Sequence, residues 1–231
     1  MMMSEQILDF YLTMPEHLKM TQGVSVIRPY GNTETQRVMK LFFEKYYLDK
    51  GPRGFLIGIN PGRFGSGITG IGFTDAITLE KFCGIPNSLD KRTETSATFI
   101  FEVIEAYGGP EKFYRDFYIT SVMPMGLLKD EKNYNYYDDK KTQKSLETFI
   151  HESMEKQLSF GAYRKDAICI GQGKNLQYLQ NYNETHQLFD KIHTVPHPRW
   201  VMQYKRKEKS KHIDAYLKVF EEVLAKDINT Y

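Results

Sequence analysis

The sequence predicts an α/β fold in which a parallel sheet of four strands is covered by helices on both faces. Four short, largely apolar runs have strand length: "GFLIGI" (54–59), "DFYITSV" (116–122), "DAICIG" (166–171) and "KIHTVP" (191–196). Apolar residues at helical spacing fill the chain between them. Continuous rather than alternating apolar character marks strands buried on both faces, as parallel sheets require.

Taken in order, residues 4–20 and 33–48 have helical spacing, the second with Asn32 or Thr33 as N-cap. The first strand (54–59) runs into a glycine-rich loop. "TSATFIFEVIEAYGG" (95–109) reads as a helix that Gly108 and Gly109 stop. The second strand (116–122) is broken by Met123-Pro124. A tyrosine- and charge-rich loop, "KDEKNYNYYDDKK", precedes a long helix over 141–159. The third strand (166–171) feeds a helix over 172–182, and the fourth (191–196) is followed by a helix over 211–226. In such sheets ligands bind beyond the carboxyl ends of the strands. The informative segments are therefore 60–74, 121–128, 171–175 and 196–204.

At 231 residues with 41% hydrophobic side chains, the chain suits one compact domain, 1–231, with a helical N-terminal part over 1–50. A net charge of +2 neither requires nor excludes nucleic acid, so local charge decides. Its 16 Tyr, 15 Phe and one Trp fill a core and leave rings for planar ligands. Cys83 and Cys169 are too few for a cysteine-only zinc ribbon or iron–sulfur cluster and read as buried thiols in a reducing compartment. No run approaches a membrane span, and "MMMSEQILDFYLTM" lacks the pattern of a signal peptide. A soluble intracellular chain is expected, cytoplasmic if bacterial, monomeric and without membrane contact.

The loop "GINPGRFGSGITGIGF" (58–73) carries six glycines and supports three readings. "GSGITG" (65–70) matches G-x-G-x-x-G, with Asp90 twenty residues on. The context opposes a dinucleotide site: "NPGRF" separates the strand from the first glycine, no helix follows the third, and Asp90 does not end a strand. "GQGKN" (171–175) has a Gly-Lys pair without the rest of a P-loop. Gly171, Gln172, Gly173 and Lys174 read either as a helix start with a solvated lysine or as a backbone and lysine contact to phosphate. The third reading starts at Asn60. Its place before Pro61 favours extended geometry at the strand end. There its amide offers two donors and an acceptor to a water or planar heterocycle, unless it closes a local Asx turn. Phe73 is placed to cover a flat ligand. In "VPHPRW" (195–200), two prolines hold His197 stiffly in the same layer, where it can donate to charge building on a leaving group. The other five histidines read as surface or core residues.

With these residues in place, the loop resembles the first motif of the single-strand-selective monofunctional uracil-DNA glycosylases, in a bacterial-type variant. That motif runs Gly-Met-Asn-Pro-Gly, then Phe-Gly, Thr-Gly and Phe at the same spacing. "HPRW" (197–200) resembles their second motif, and the likeness spans residues 53–225. The resemblance implies a three-layer α/β/α sandwich around a short, mainly parallel four-stranded sheet. It implies hydrolysis of the bond between a flipped-out uracil-type base and its sugar, in single- or double-stranded DNA, with no metal and no cofactor. Carried onto this chain, Asn60 places the attacking water, Phe73 stacks on the base and His197 bonds the departing base. Gly58, Ile59, Pro61, Gly62 and Phe64 line the pocket.

Two departures stand out. Where the family usually has an asparagine on the second strand to read the uracil edge, this chain has Ser121, which leaves the preferred base open. The family's His-Pro-Ser-Pro-Arg is shortened here, so the wedge loop, "PRWVMQYKRKEKSKH" (198–212), differs. Pro198, Arg199, Trp200, Met202, Gln203 and Tyr204 followed by Lys205 and Arg206 suit insertion into a base stack flanked by phosphate contacts. The bland alternative is a charged helix start beside a buried Trp200. Two other functions stay open: a catalytically silent nucleic-acid-binding module of this fold, and a nucleotide- or nucleoside-processing enzyme using the glycine loop.

Overall fold

The structure, a computed structural model, describes residues 1–225 and excludes the side chains of residues 164 and 165. The expected end of the last helix, residue 226, lies outside the described residues. In chain order the elements are α1 (Met3–Leu12), β1 (Val24–Ile27), α2 (Thr33–Tyr46), β2 (Arg53–Gly58), α3 (Ser66–Thr69), α4 (Ala76–Cys83), α5 (Thr95–Tyr107), α6 (Pro110–Asp116), β3 (Phe117–Ser121), β4 (Gly126–Lys129), β5 (Lys132–Tyr134), α7 (Lys140–Leu158), β6 (Ala162–Ile170), α8 (Lys174–His186), β7 (Lys191–Val195), α9 (Pro198–Tyr204) and α10 (Lys209–Ala225).

The four expected strands form one parallel sheet in the order β3-β2-β6-β7. Central β2 is buried along its whole length, which explains its unbroken apolar run. Edge strand β7 buries only His193 and Val195 fully. Helices α6 and α10 pack on the sheet with α5 and α9 beside them, and α7 and α8 pack against β6. Both cysteines are buried, and burial pushes each thiol up to about 12, so neither forms a reactive thiolate at neutral pH.

Several expectations need correction. The first helix stops at Leu12, not 20, because Thr13 caps it and Pro15 follows. Beyond the four expected strands, β1, β4 and β5 form a second, antiparallel sheet in the order β1-β4-β5. The tyrosine-rich loop is thus partly a strand. Residues 198–212 are helical rather than a loop: His197 and Pro198 open helix α9, a 3-10 turn spans Arg206–Glu208, and α10 begins at Lys209. Proline is favoured at the first helical position, and here it starts a helix.

The base of the sheet is fixed by Arg53, a buried arginine at the start of β2 that is 2% exposed. Its guanidinium donates to both Asp49 carboxylate oxygens (2.8 and 2.9 Å) and to the carbonyls of Tyr114 and Gly51. Arg53→Ala removes these donors and leaves buried carbonyls unpaired. It is expected to lower the unfolding free energy by about 2–3 kcal/mol in urea titrations. A change below about 0.5 kcal/mol would show that the cluster does not anchor the sheet.

Candidate functional site

The carboxyl ends of β2, β3 and β7 open into a pocket of about 100 Å³. Gly58, Ile59, Asn60, Pro61, Gly62, Phe73, Ser121 and His197 all line it. The glycine loop, Ser121 and the His-Pro step, far apart in the sequence, therefore meet at one place.

Asn60 is gripped by the tyrosine-rich segment. Its Nδ2 donates to the Tyr134 carbonyl (3.1 Å), and its Oδ1 accepts from the Tyr136 N–H (3.3 Å). Both contacts use backbone, so they fix the amide's plane and its O/N sense whatever residues occupy 134 and 136. One N–H and one lone pair remain for the pocket. The local Asx turn is not formed. The turn is itself held: the Tyr134 hydroxyl donates to Asp139, which caps α7 by accepting from Thr142 N–H (2.8 Å), and Asp138 accepts from Asn135 N–H (2.8 Å). These bonds, Tyr134 first, hold the Asp139 carboxyl well below the usual carboxylate range. The tyrosine-rich segment is thereby the brace for Asn60, a role its sequence does not announce.

Phe73 adopts a left-handed backbone (φ 49°), unusual for a bulky residue. Its N–H donates to Ser66 Oγ (3.0 Å), and its ring lies against Gly58, where a Cβ would sit 2.9 Å from the ring edge. The ring also stands 6.0 Å from the His197 ring. Gly58 thus keeps Phe73 flush with the end of β2.

His197 is the N-cap of α9, and its Nδ1 accepts from the Arg199 N–H (3.2 Å). That bond assigns the proton of the neutral ring to Nε2, leaving Nε2–H as a donor. Burial first, and Arg199 second, push the imidazole down to about 4, so it is neutral at physiological pH. The turn is secured from beneath by Tyr216, whose hydroxyl donates to the Pro196 carbonyl (2.7 Å). Among the other histidines, His193 is a core residue bonded to Asp166 (2.6 Å).

Ser121 reaches the pocket, but its hydroxyl donates to the Met123 carbonyl (3.1 Å). What it offers a ligand is therefore acceptor capacity rather than a donor. Phe64 does not line the pocket. It faces the adjoining groove with Glu94, Arg199 and Gln203, and the guanidinium groups of Arg63 (4.4 Å) and Arg92 (5.1 Å) lie over its ring. Gly171, Gln172, Gly173 and Lys174 line a neighbouring hollow together with His197 and Trp200. On α9, Tyr204 (72% exposed), Trp200 (42%) and Gln203 stand out to solvent, while Met202 packs partly on the core. Trp200 is thus not buried. Lys205 pairs with Glu208 (3.2 Å), and Lys209 pairs with Glu102 (2.7 Å). Among the described residues, Arg206 and Lys207 have no ion pair.

One lining residue had no signal in the sequence beyond being an acid near the loop. Glu94, just before α5, packs its carboxyl against Gly62 and Gly65 in space that any side chain at those positions would fill. Burial first, then Asp75, raise its carboxyl to about 7, partly opposed by Arg199. A carboxyl whose folded value lies above its unfolded value of about 4.5 favours folding below that pH. The contribution fades as pH rises through 7. Glu94→Gln is therefore expected to gain about 2–3 kcal/mol in stability relative to the wild type between pH 4.5 and pH 8. Paired urea titrations at the two pH values check this, and equal differences at both would contradict it.

The known proteins agree with this fold. A crystal structure described as wild-type Pedobacter heparinus SMUG2 superposes with a TM-score of 0.94 at 38% identity, covering 97% of this chain and 99% of that one. No curated protein matches the chain. Residues 45–221 match the family described as the Uracil DNA glycosylase superfamily, with its parallel sheet flanked by helices. The chain belongs to the uracil DNA glycosylase superfamily, a family that acts on DNA.

Proposed function

We propose that the protein is a monofunctional glycosylase that hydrolyses the N-glycosidic bond of uracil, or a modified uracil, flipped out of DNA. The observation that carries this reading is the convergence of a braced amide, an aromatic face and a neutral imidazole N–H on one small pocket. The flipped base lies against the Phe73 ring, and stacking of about 1–3 kcal/mol helps offset extrusion from the helix. Ser121 Oγ, committed as a donor to Met123, accepts from the base's ring N–H. As the bond between sugar C1′ and base N1 breaks, its electron pair leaves with the base. His197 Nε2–H stabilises the resulting anion at the base oxygen without giving up its proton. Water held by the free lone pair of Asn60 adds to the cationic C1′ and releases a proton to solvent. An asparagine suffices here, because an oxocarbenium-like sugar needs little nucleophilic push.

The α9 face carrying Trp200, Gln203 and Tyr204, with the unpaired Arg206, suits contact with DNA beside the pocket. An adjacent anchor is Lys174 with the backbone of 171–173.

Uracil-containing oligonucleotides, treated with alkali after incubation, are expected to break at the uracil. His197→Ala is expected to slow single-turnover release by about 10²–10³-fold. Asn60→Ala should slow it at least comparably. The neutral ring keeps one protonation state from about pH 6 to 8, so no histidine titration should appear there. Full activity of Asn60→Ala would overturn the mechanism. DNA retention without base release from any uracil-type lesion would favour a silent binding module.

A further inference from the structure

The base pocket does not end at His197. Through that residue it adjoins a hollow of about 310 Å³ that also contains Lys174 and Tyr137. Lys174 and Tyr137 in turn open a groove of about 990 Å³ that runs between α7 and α8. Shared lining residues, first His197 and then Lys174 and Tyr137, thus place the candidate site, the hollow and the groove next to one another.

The floor of that groove is a line of rings. Tyr136, behind the Asn60 brace, meets Tyr137 and Tyr178, each at 4.9 Å between centroids. Tyr178 and Tyr182 follow at i and i+4 on α8, with near-parallel rings 6.2 Å apart. Tyr182 then meets His186 at 4.2 Å, and its hydroxyl bonds to His151 Nδ1 (2.6 Å), which closes the distal end. Tyr136 is fully buried, but Tyr137, Tyr178 and Tyr182 are only partly covered and present ring surface to the groove. Core packing alone does not account for aromatic rings in file along an open channel.

Charge grades along the channel. Both flanking helices begin at the end nearest the base pocket, with Lys140 and Lys174 and the positive ends of two helix dipoles. Asp138 and Asp139 lie there too, but their carboxylates are bonded within the turn and the α7 cap. Glu147 on the α7 wall is the remaining acid of the lining. Rings along the floor, cations at the mouth and adjacency to a base pocket fit a nucleic-acid strand with bases inward and phosphates outward.

We propose that this groove holds the single-stranded flank of the DNA substrate on one side of the excised base, its bases stacked on Tyr137, Tyr178 and Tyr182. The inference rests on the glycosylase reading for the identity of the strand. The ring spacing of 6.2 Å is nearly twice the roughly 3.4 Å rise of a stacked strand, so a stretched single strand presents one base per ring. A duplex cannot enter, because its bases are already stacked and paired.

The test is fluorescence anisotropy with labelled single strands of about 5 and about 15 nucleotides, carrying one uracil near either the 5′ or the 3′ end. The double variant Tyr178→Leu/Tyr182→Leu keeps the apolar contact with the core and removes the rings. It is expected to bind the long strand at least about tenfold more weakly for one of the two uracil placements, and the short strand within about twofold of wild type. The Phe pair at the same positions keeps the rings and should bind as wild type, which separates stacking from a folding defect. Equal binding of the Leu pair and wild type at every length and placement would overturn the proposal. So would an equal loss at both lengths, or a loss in the Phe pair matching that in the Leu pair. Alkali scission is read in parallel. Length-dependent binding without scission would overturn the glycosylase reading alone, whereas scission without length-dependent loss would overturn the groove alone.

Discussion

The amide of Asn60 sits at the open end of the central strand β2 and is held there by two peptide groups of a distant segment, residues 134 and 136. A free asparagine side chain rotates about two torsions and can swap its oxygen and nitrogen. This one presents a fixed lone pair and a fixed N–H. Such preorganisation is what lets a weak group take part in a difficult bond cleavage, since no reorganisation is needed at the moment of reaction. The antiparallel sheet β1-β4-β5 carries the brace, and Gly126 lets it close in, because a Cβ there would meet the Pro61 carbonyl at 2.8 Å. The small sheet and the parallel sheet thus share the Asn60–Pro61 step as their junction.

The same logic runs through the other walls. Gly58 lets the Phe73 ring lie against the end of β2, and Gly62 and Gly65 make room for Glu94. Prolines on either side of His197 fix its backbone while the Arg199 N–H fixes its tautomer. Removing side chains from the loop lets other side chains define the pocket, rather than leaving it open to phosphate. Within the G-x-G-x-x-G at 65–70, Gly65 makes room for Glu94, and a Cβ at Gly67 would meet the Gly62 carbonyl at 2.7 Å.

The parallel sheet was legible in the sequence because strands buried on both faces leave unbroken apolar runs, which β2, β3 and β6 have. Asn60 and His197 were legible because each follows a strand, Phe73 because it closes the glycine loop, and Ser121 through the family resemblance. The rest is physically less visible. The strands β1, β4 and β5 are three or four residues long, and β5 is mostly exposed, so hydrophobic alternation carries almost no signal. Helix α4 carries its own sequence signals, the Asp75–Thr78 capping box and left-handed Gly84 after Cys83. Phe64, which the resemblance puts in the base pocket, faces the adjoining groove instead, because loop sequence does not fix which way a ring turns. The Asn60 brace was invisible for a deeper reason. It uses the carbonyl of residue 134 and the N–H of residue 136, which almost any residue other than proline would supply.

The central claim is that the turn at 134–136 and the Asn60 side chain hold one another. Hydrogen exchange of the Tyr136 backbone amide, followed by NMR in wild type and in Asn60→Ala, tests it most directly. If the Asn60 oxygen is that amide's partner, exchange is slow in wild type and at least about tenfold faster in the variant. Amides elsewhere in the parallel sheet should be unchanged. Identical Tyr136 exchange in the two proteins would contradict the account.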